Sequence, residues 1–488
     1  MNRRQFLTSS ATLAAMGVTA SIAPSCLGEP SATGERADLG KTDVLVVGGG
    51  PAGVCAAIAA ARMGAGVLLV EGGGCLGGMA TRGLVAPFMT CFDSAGETQI
   101  IRGIFGEIVD RMVALGGAIH PKDVRAGTPF SAWITTGHDH LTPFDAEILK
   151  YVLDSMTAEA GVKILLHTNF VKPIMKGRRI TGATLLAKSG LCDVKASVVV
   201  DATGDGIVAA AAGAPLFKGN ENSGKMQPAT LFCHICNVDY KAICADVEAH
   251  LHEFRKVNGV SYRALHWRVA EAEAAGEWDI ARKSVNIYRG VREDEWAVNS
   301  TRISGIDATS SESLTAAEIE GRRQVQELMN FFRKYVPGCK NVMLKSSAST
   351  IGIRESRHIN GEYLLRAEDL INSLVPEDSV FLASNSVDVH GGEGGANTTR
   401  YTTINGNWYG VPYRSLVPLE VENLLVAGRC LSATSDAAGA VRVIPPAMAG
   451  GQAAGVAAAL ACSGATTPRA IDARDIRKVL LTQNVFLG

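Results

Sequence analysis

The chain has 488 residues, 47% hydrophobic and 19% charged, enough to bury a large core spread over about three domains. Its 47 basic and 48 acidic residues give a formal net charge of −1 without any block of like charge, which excludes nucleic acid as a partner class. The 53 glycines recur in Gly-Ala-rich turns, as expected where backbone lies close against a ligand.

Residues 1–30 read as a leader. Arg3-Arg4 and Phe6-Leu7 precede a mildly apolar, Ala-rich run from Ala11 to Ala23, a layout that resembles a twin-arginine export signal. The run is too short and too weakly apolar for a membrane span, and no transmembrane helix is expected in the mature chain. The expected location is periplasmic or exported, with the twin-arginine export machinery as a partner. Cys26 is a candidate lipid anchor, although Ala23-Pro24-Ser25 matches a lipoprotein cleavage site poorly. Residues 31–41 read as a linker.

Residues 42–216 begin with "DVLVVGGG", an apolar β-branched run typical of a buried parallel strand. An Ala-rich helix over 51–65 and the strand "AGVLLVEGG" complete a β-α-β unit. The pattern then predicts helices at 100–115 and from a cap at Thr142 or Asp145, a strand at 163–168, and an antiparallel meander returning to a buried strand at 197–201. Residues 217–378 are more polar and form an inserted α+β substrate domain, with helices expected near 241–256, 265–283 and 315–335. Asn360-Gly361 between alternating runs predicts a hairpin. Apolar strands return over 379–488, ending in a helix at 445–461. The expected fold is α/β: a Rossmann-like parallel sheet with a β-meander, built from both chain ends around the insertion.

Gly48-x-Gly50-x-x-Gly53 follows a strand and opens a helix. Gly48 permits the tight turn, Gly50 lets backbone approach a pyrophosphate, and Gly53 permits close packing. The helix start, with Pro51 and Ala52, offers free N–H groups and a partial positive charge to phosphates. Glu71 ends the second strand, where it can accept hydrogen bonds from an adenosine ribose and repel a 2′-phosphate. A second glycine-rich turn, "GGGCLGGMATRG", follows Glu71 where an NAD domain usually proceeds to a helix. Ala202-Thr203-Gly204 and Gly428 end two further strands in the crevice where α/β sheets hold ligands.

These segments resemble the two-dinucleotide-type FAD flavoproteins, with a glutathione-reductase-like FAD fold. More narrowly, "GGGPAG", "DATGDG", "YGVPYRSLVP" and "RVIPPAMAGGQAAG" resemble a family of FAD-dependent oxidoreductases. The resemblance implies bound FAD, with its ADP part at Gly48–Gly53 and Glu71. It places the flavin near Gly77, Gly78, Met79 and Thr81 and the terminal helix, with Arg442 and Met448. The helix N-terminus and Arg442 would face the flavin edge where negative charge develops on reduction.

Several chemistries are excluded. Cys75 has Ala80 five residues on, so the redox pair of flavin disulfide reductases is absent. The remaining cysteines are scattered in apolar runs, and Cys233 and Cys236 fall on opposite faces of a strand. No second nucleotide unit exists; "HGGEGGANTT" at 390–399 lacks the spacing. Electrons therefore come from an organic donor or are exchanged with a separate partner, an electron acceptor or donor. "HDH" at 138–140 does not define a metal site, and no metal is expected.

In "NSVDVHGG" strand alternation puts Ser386, Asp388 and His390 on one face, so that Asp388 can orient His390 as a proton donor or acceptor. In "GIRESRHI" the same rule groups Arg354, Ser356 and His358, with Arg354 able to hold a carboxylate or a developing oxyanion. Tyr413 and Arg414 are further candidates. The expected protein is an FAD-dependent oxidoreductase, exported folded, that transfers a hydride between a small organic substrate and flavin N5. Two rivals stand: a non-redox flavoprotein (isomerase or lyase), and an electron-carrying subunit without its own substrate, which would lack an enclosed pocket.

Overall fold

The computed structural model describes residues 36–391 and 398–488. The leader, Cys26 and most of the Gly-rich stretch 390–399 lie outside the described residues. Seven strands form the main sheet. Six are β1 (Ala37–Val47), β2 (Val67–Val70), β3 (Lys163–Leu165), β4 (Asn169–Lys176), β5 (Arg179–Ala187) and β6 (Gly190–Asp201), in the order β3-β2-β1-β6-β5-β4. The seventh, Leu424–Val426, pairs in parallel with the C-terminal end of β6. Strands β1, β2, β3 and β6 are mutually parallel, while β4 and β5 return as an antiparallel meander. The fold is thus α/β, a Rossmann-like sheet with a β-meander.

Val44–Val47 are buried because β1 is central, with β2 on one side and β6 on the other. That position explains the unbroken apolar run. Strand β1 begins at Ala37, inside the segment expected to be a tether, where Ala37 pairs with Cys192 and Lys41 with Lys195. Two contacts fasten the C-terminal part to this sheet. Asn423, fully buried, accepts from the Ile180 amide and donates to the Ile180 and Ser197 carbonyls, so three backbone groups at the β5–β6 edge are satisfied by one side chain. The helix Ile444–Ser463 crosses the helix Pro51–Arg62 at backbone distance: a Cβ on Gly451 would overlap the Ala52 carbonyl oxygen, and one on Gly455 that of Ala56.

Within residues 217–378 lies a four-stranded antiparallel sheet in the order Ile287–Arg289, Trp296–Val298, Cys233–Cys236, Met343–Ser347. The helix Ser311–Tyr335, capped by Ser310, buries Val325, Leu328, Met329, Phe331 and Phe332. Cys233 is buried and Cys236 half-buried on alternate sides of their strand, and all ten cysteines among the described residues are free. The expected helices at 241–256 and 265–283 end sooner, at Ala249 and Ala274; Gly276, at φ +71°, terminates the second in a left-handed turn.

The Asn-Gly pairs exchange roles. Asn360-Gly361 makes no hairpin: Arg357–Ile359 pairs with Leu216–Lys218, and Gly361 bridges to Pro418. The hairpin belongs to Asn258-Gly259, with φ +49° and +78°, between Arg255–Val257 and Val260–Tyr262. Two consecutive left-handed residues give the turn its hairpin twist.

No single helix among the described residues is long and apolar enough to cross a membrane. The helices Ser435–Val441 and Ile444–Ser463 reach that composition only together, bent by 91°, and both lie mostly buried.

Gly455→Ala should lower stability by about 1–3 kcal/mol through overpacking, read as a drop in thermal midpoint. Gly106→Ala, in a helix interior with no heavy atom closer than 3.9 Å to the new methyl, should be neutral or slightly stabilising.

Candidate active site

The C-terminal ends of β1, β2, β6 and Leu424–Val426 open into one cavity of about 750 Å³, roofed by residues 256–318 and 350–354. Such a volume is ample for a drug-sized ligand. At the near end Gly48 turns with φ +101°, pressed so tightly on the end of β6 that a Cβ would sit 2.6 Å from the Ala202 oxygen. Gly50 has the opposite character: a Cβ there meets nothing within 4 Å, and Gly50, Pro51 and Ala52 line the cavity. No side chain caps the helix that follows. Its first free N–H groups are therefore available to an anion in the cavity. Gly53 does not line it; a Cβ there would overlap the Gly48 carbonyl.

Glu71 Oε2 accepts from the Gly49 amide at 2.8 Å, and Oε1 accepts from the Gly73 amide at 2.6 Å and from Arg82 at 2.7 Å. Its carboxylate thus stitches both glycine turns together while still lining the cavity. The second turn rests on the first: a Cβ on Gly78 would lie 2.9 Å from the Gly50 Cα. Gly78 and Met79 line the cavity. Gly77 and Thr81 shape the turn instead, Gly77 by φ +98° and Thr81 by donating to the Leu76 carbonyl at 2.7 Å. Met448 is buried in the core and faces no part of the cavity.

Ala202, Thr203, Gly204 and Gly428 line the same wall. Thr203 donates to Asp201, leaving its hydroxyl committed. Arg429 and Asp205, which sequence pattern did not single out, join at 2.7 Å, and Arg429 also donates to the Gly204 carbonyl.

At the far end the strand Val387–His390 alternates as expected: Val387 and Val389 are buried in the core, while Ser386, Asp388 and His390 line the cavity. Asp388 Oδ2 lies 3.1 Å from His390 Nε2. His390 Nδ1 lies 3.0 Å from the Thr399 hydroxyl and 3.4 Å from Arg302. A guanidinium can only donate, so Nδ1 is the accepting nitrogen and the ring proton sits on Nε2, facing Asp388. Burial lowers His390 to about 3, with Asp388 opposing and Arg354 and Arg302 adding to the fall. Burial alone would raise Asp388; His390, Arg442 and Arg354 outweigh it and hold the carboxyl below its usual range. The exposed third of the Asp388 side chain faces the cavity.

Arg354 and Arg442 line this end too. Arg354, 8% exposed, donates to the Pro228 carbonyl and to Thr230 Oγ1. Burial, then Arg442, Arg302 and Arg282, pull it far below the usual arginine value. The buried Nε of Arg442 has no hydrogen-bond partner. Both residues face the cavity, and no carboxylate among the described residues is ion-paired to them.

The expected grouping of Arg354 with Ser356 and His358 does not hold, because residues 351–356 are irregular and only Arg357–Ile359 is strand. Ser356 donates to Asp205, and His358 is fully buried against Phe217. Tyr413 and Arg414 are structural: the Tyr413 hydroxyl donates to the Pro468 carbonyl, and Arg414 pairs with Asp378 at 2.9 Å. Of the 138–140 triplet only His138 lines the cavity, while His140 stacks on Phe92. No group of His, Cys, Asp and Glu among the described residues could hold a metal ion.

An open glycine turn at an uncapped helix, a ribose-type acid and an electropositive far chamber fit an extended dinucleotide and define a dinucleotide-dependent flavoprotein. The chain belongs to the FAD dependent oxidoreductase family, whose model matches residues 43–480. FAD is its cofactor. A digeranylgeranylglycerophospholipid reductase of Methanoculleus marisnigri is 29% identical over 171 residues, which are 33% of this chain and 38% of that protein. The match thus spans about two fifths of the relative's length. Among solved structures, a geranylgeranyl bacteriochlorophyll reductase-like protein of Thermoplasma acidophilum aligns over 91% of this chain and 84% of its own, at 15% identity and a TM-score of 0.40. A p-nitrophenol 4-monooxygenase of Pseudomonas putida aligns over 91% and 86%, at 13% identity and a TM-score of 0.45.

Gly50→Val should fold but retain no flavin, since its side chain enters open cavity rather than packed protein. Purified variant with wild-type circular dichroism and no visible flavin absorption is the expected result; wild-type flavin content would contradict the site.

Proposed function

We propose that this protein is exported already folded and oxidises or reduces a small organic substrate held between the FAD site and the roof formed by residues 217–378. Bound FAD supplies a hydride acceptor or donor at its N5. Gly50, Pro51 and Ala52 hold its phosphates, Glu71 the ribose, and Gly78, Met79, Gly204 and Gly428 the extended middle of the molecule. Arg354, Arg442 and the start of the terminal helix bring positive charge to the end where reduction leaves negative charge.

The observation that carries this reading is the Asp388–His390 pair inside the cavity. Asp388 fixes the tautomer, leaving the Nδ1 lone pair to accept a proton, with the Thr399 hydroxyl, itself on the cavity wall, as its immediate partner. A partly enclosed chamber with such a pair supports an enzyme with its own substrate over an electron-carrying subunit. Export is supported by Arg3-Arg4 and the Ala-rich run that follows. A folded-protein route suits a chain that acquires FAD before it leaves the cytoplasm.

His390→Gln should slow flavin reduction by about 10²–10⁴-fold, with flavin content unchanged, in anaerobic stopped-flow. An unchanged rate would remove His390 from the chemistry.

The pH dependence has a definite sign. His390 is held at about 3 when folded against 6.5 ordinarily, so the unfolded chain binds the additional proton between those values. Its stabilising contribution is complete above pH 6.5 and is lost as pH falls toward 3. Urea titrations should therefore show stability declining below about pH 6, with a shallower decline in His390→Gln.

A further inference from the structure

The far chamber carries positive charge that the FAD site does not use. Lys256 and Arg263 lie beside it on the hairpin with the Asn258-Gly259 turn, which closes over the His390 strand through a hydrogen bond from the Thr399 amide to the Gly259 carbonyl at 3.0 Å. A second recess of about 230 Å³ shares Lys256 and Arg263 with the chamber, adds Arg255, and has no acidic lining residue among the described residues. Arg282, from the inserted segment, faces the chamber and donates to the Asn299 carbonyl at 3.0 Å. Neither Arg263 nor Arg282 forms an ion pair with a described residue, and the described acid that acts on Arg282 is Asp388, already engaged with His390. Half-buried guanidinium groups that face a cavity without a paired carboxylate leave donors free for an anionic ligand.

A second observation concerns hydrogen bonding. Asn385, 6% exposed and on the chamber wall, has a side-chain oxygen without a partner among the described residues, and Asn299 on the same wall has another. Buried acceptors left open call for donors on the ligand. The phosphates of the dinucleotide have their own cradle at Gly48–Gly53.

We infer that the substrate is a hydroxylated carboxylate, a sugar acid or smaller hydroxy acid, with its carboxylate held by Arg263 and Arg282 and its hydroxyls by Asn385 and Asn299. This rests on the redox reading of the same cavity. In the reaction the carbinol C–H bond breaks with its electron pair passing to FAD, the O–H proton passes to His390, and C–O becomes C=O. The substrate is oxidised by two electrons and FAD is reduced by two. The anion has a second effect: it opposes the positive field of Arg354 and Arg302 that helps hold His390 low, and so makes the imidazole a better base when substrate is present.

The test uses the purified holoprotein, anaerobically, with gluconate, galacturonate and malate as probes, glucose and sorbitol as neutral counterparts, and succinate as an acid without hydroxyls. The hydroxy acids should bleach the flavin. Succinate should shift the oxidised spectrum saturably without bleaching it, and the neutral polyols should do neither at equal concentration. Arg263→Gln and Arg282→Gln should raise the half-saturating acid concentration by about 10- to 100-fold, with flavin content and thermal midpoint unchanged and partial recovery in Arg282→Lys. If a neutral polyol bleaches the flavin and no acid perturbs it, the inference falls and the redox reading stands. If an acid binds, with binding lost in Arg282→Gln, but no hydroxy acid bleaches the flavin, the anion site stands and the redox reading falls. Unchanged acid binding in both glutamine variants, or no spectral response to any acid, overturns the inference.

Discussion

The structure depends on one backbone contact, the crossing of the helices Pro51–Arg62 and Ile444–Ser463. Gly451 and Gly455 lie against the carbonyls of Ala52 and Ala56, with no room for a methyl group at either crossing point. Alanine and glycine bury little area each, so this contact draws its strength from close packing along two nearly featureless helix faces. Its consequence is positional. The first helix begins at the open glycine turn, and the terminal helix starts beside Arg442. Locking one to the other sets the far end of the chain above the dinucleotide socket at its beginning.

The Asn423 clasp and the parallel pairing of Leu424–Val426 with β6 act in the same direction. They bring Gly428 and Arg429 to the wall formed by Ala202–Asp205. The site is therefore a seam between two parts of the chain more than 200 residues apart. The segment between them supplies the roof, the hairpin with the Asn258-Gly259 turn, and most of the positive charge.

That charge gives the chamber its chemical character. Four arginines, Arg263, Arg282, Arg354 and Arg442, face the space around Asp388. Burial first, and then the poorly screened repulsion among neighbouring guanidinium groups, pulls Arg354 below the ordinary arginine value, and burial is the main cause of the same fall at Arg282. A fold retains such a cluster when something negative completes it. In the function proposed above, reduced flavin would do so at one edge and an anionic substrate at the other.

The sequence by itself determined the near half of the site. Gly48, Gly50, Gly53 and Glu71 carry conformational and hydrogen-bonding requirements that are local, set by a turn, a helix start and a strand end, and such requirements are written in consecutive residues. The alternation that puts Asp388 and His390 on one face is local for the same reason. Local pattern misled where partners were distant. Arg354, Ser356 and His358 were grouped by strand alternation, yet their segment is irregular before Arg357 because its partners are Pro228, Asp205 and Phe217. Asn360-Gly361 and Asn258-Gly259 are the same dipeptide, and only the pairing of the flanking residues decided which one turns a hairpin. Arg263 and Arg282 carry no motif, since any polar side chain in a mixed segment reads as surface until a roof folds over it. What tertiary structure alone decided was therefore the far chamber: its charge, its enclosure and its open acceptors arise from side chains that meet only across long stretches of chain.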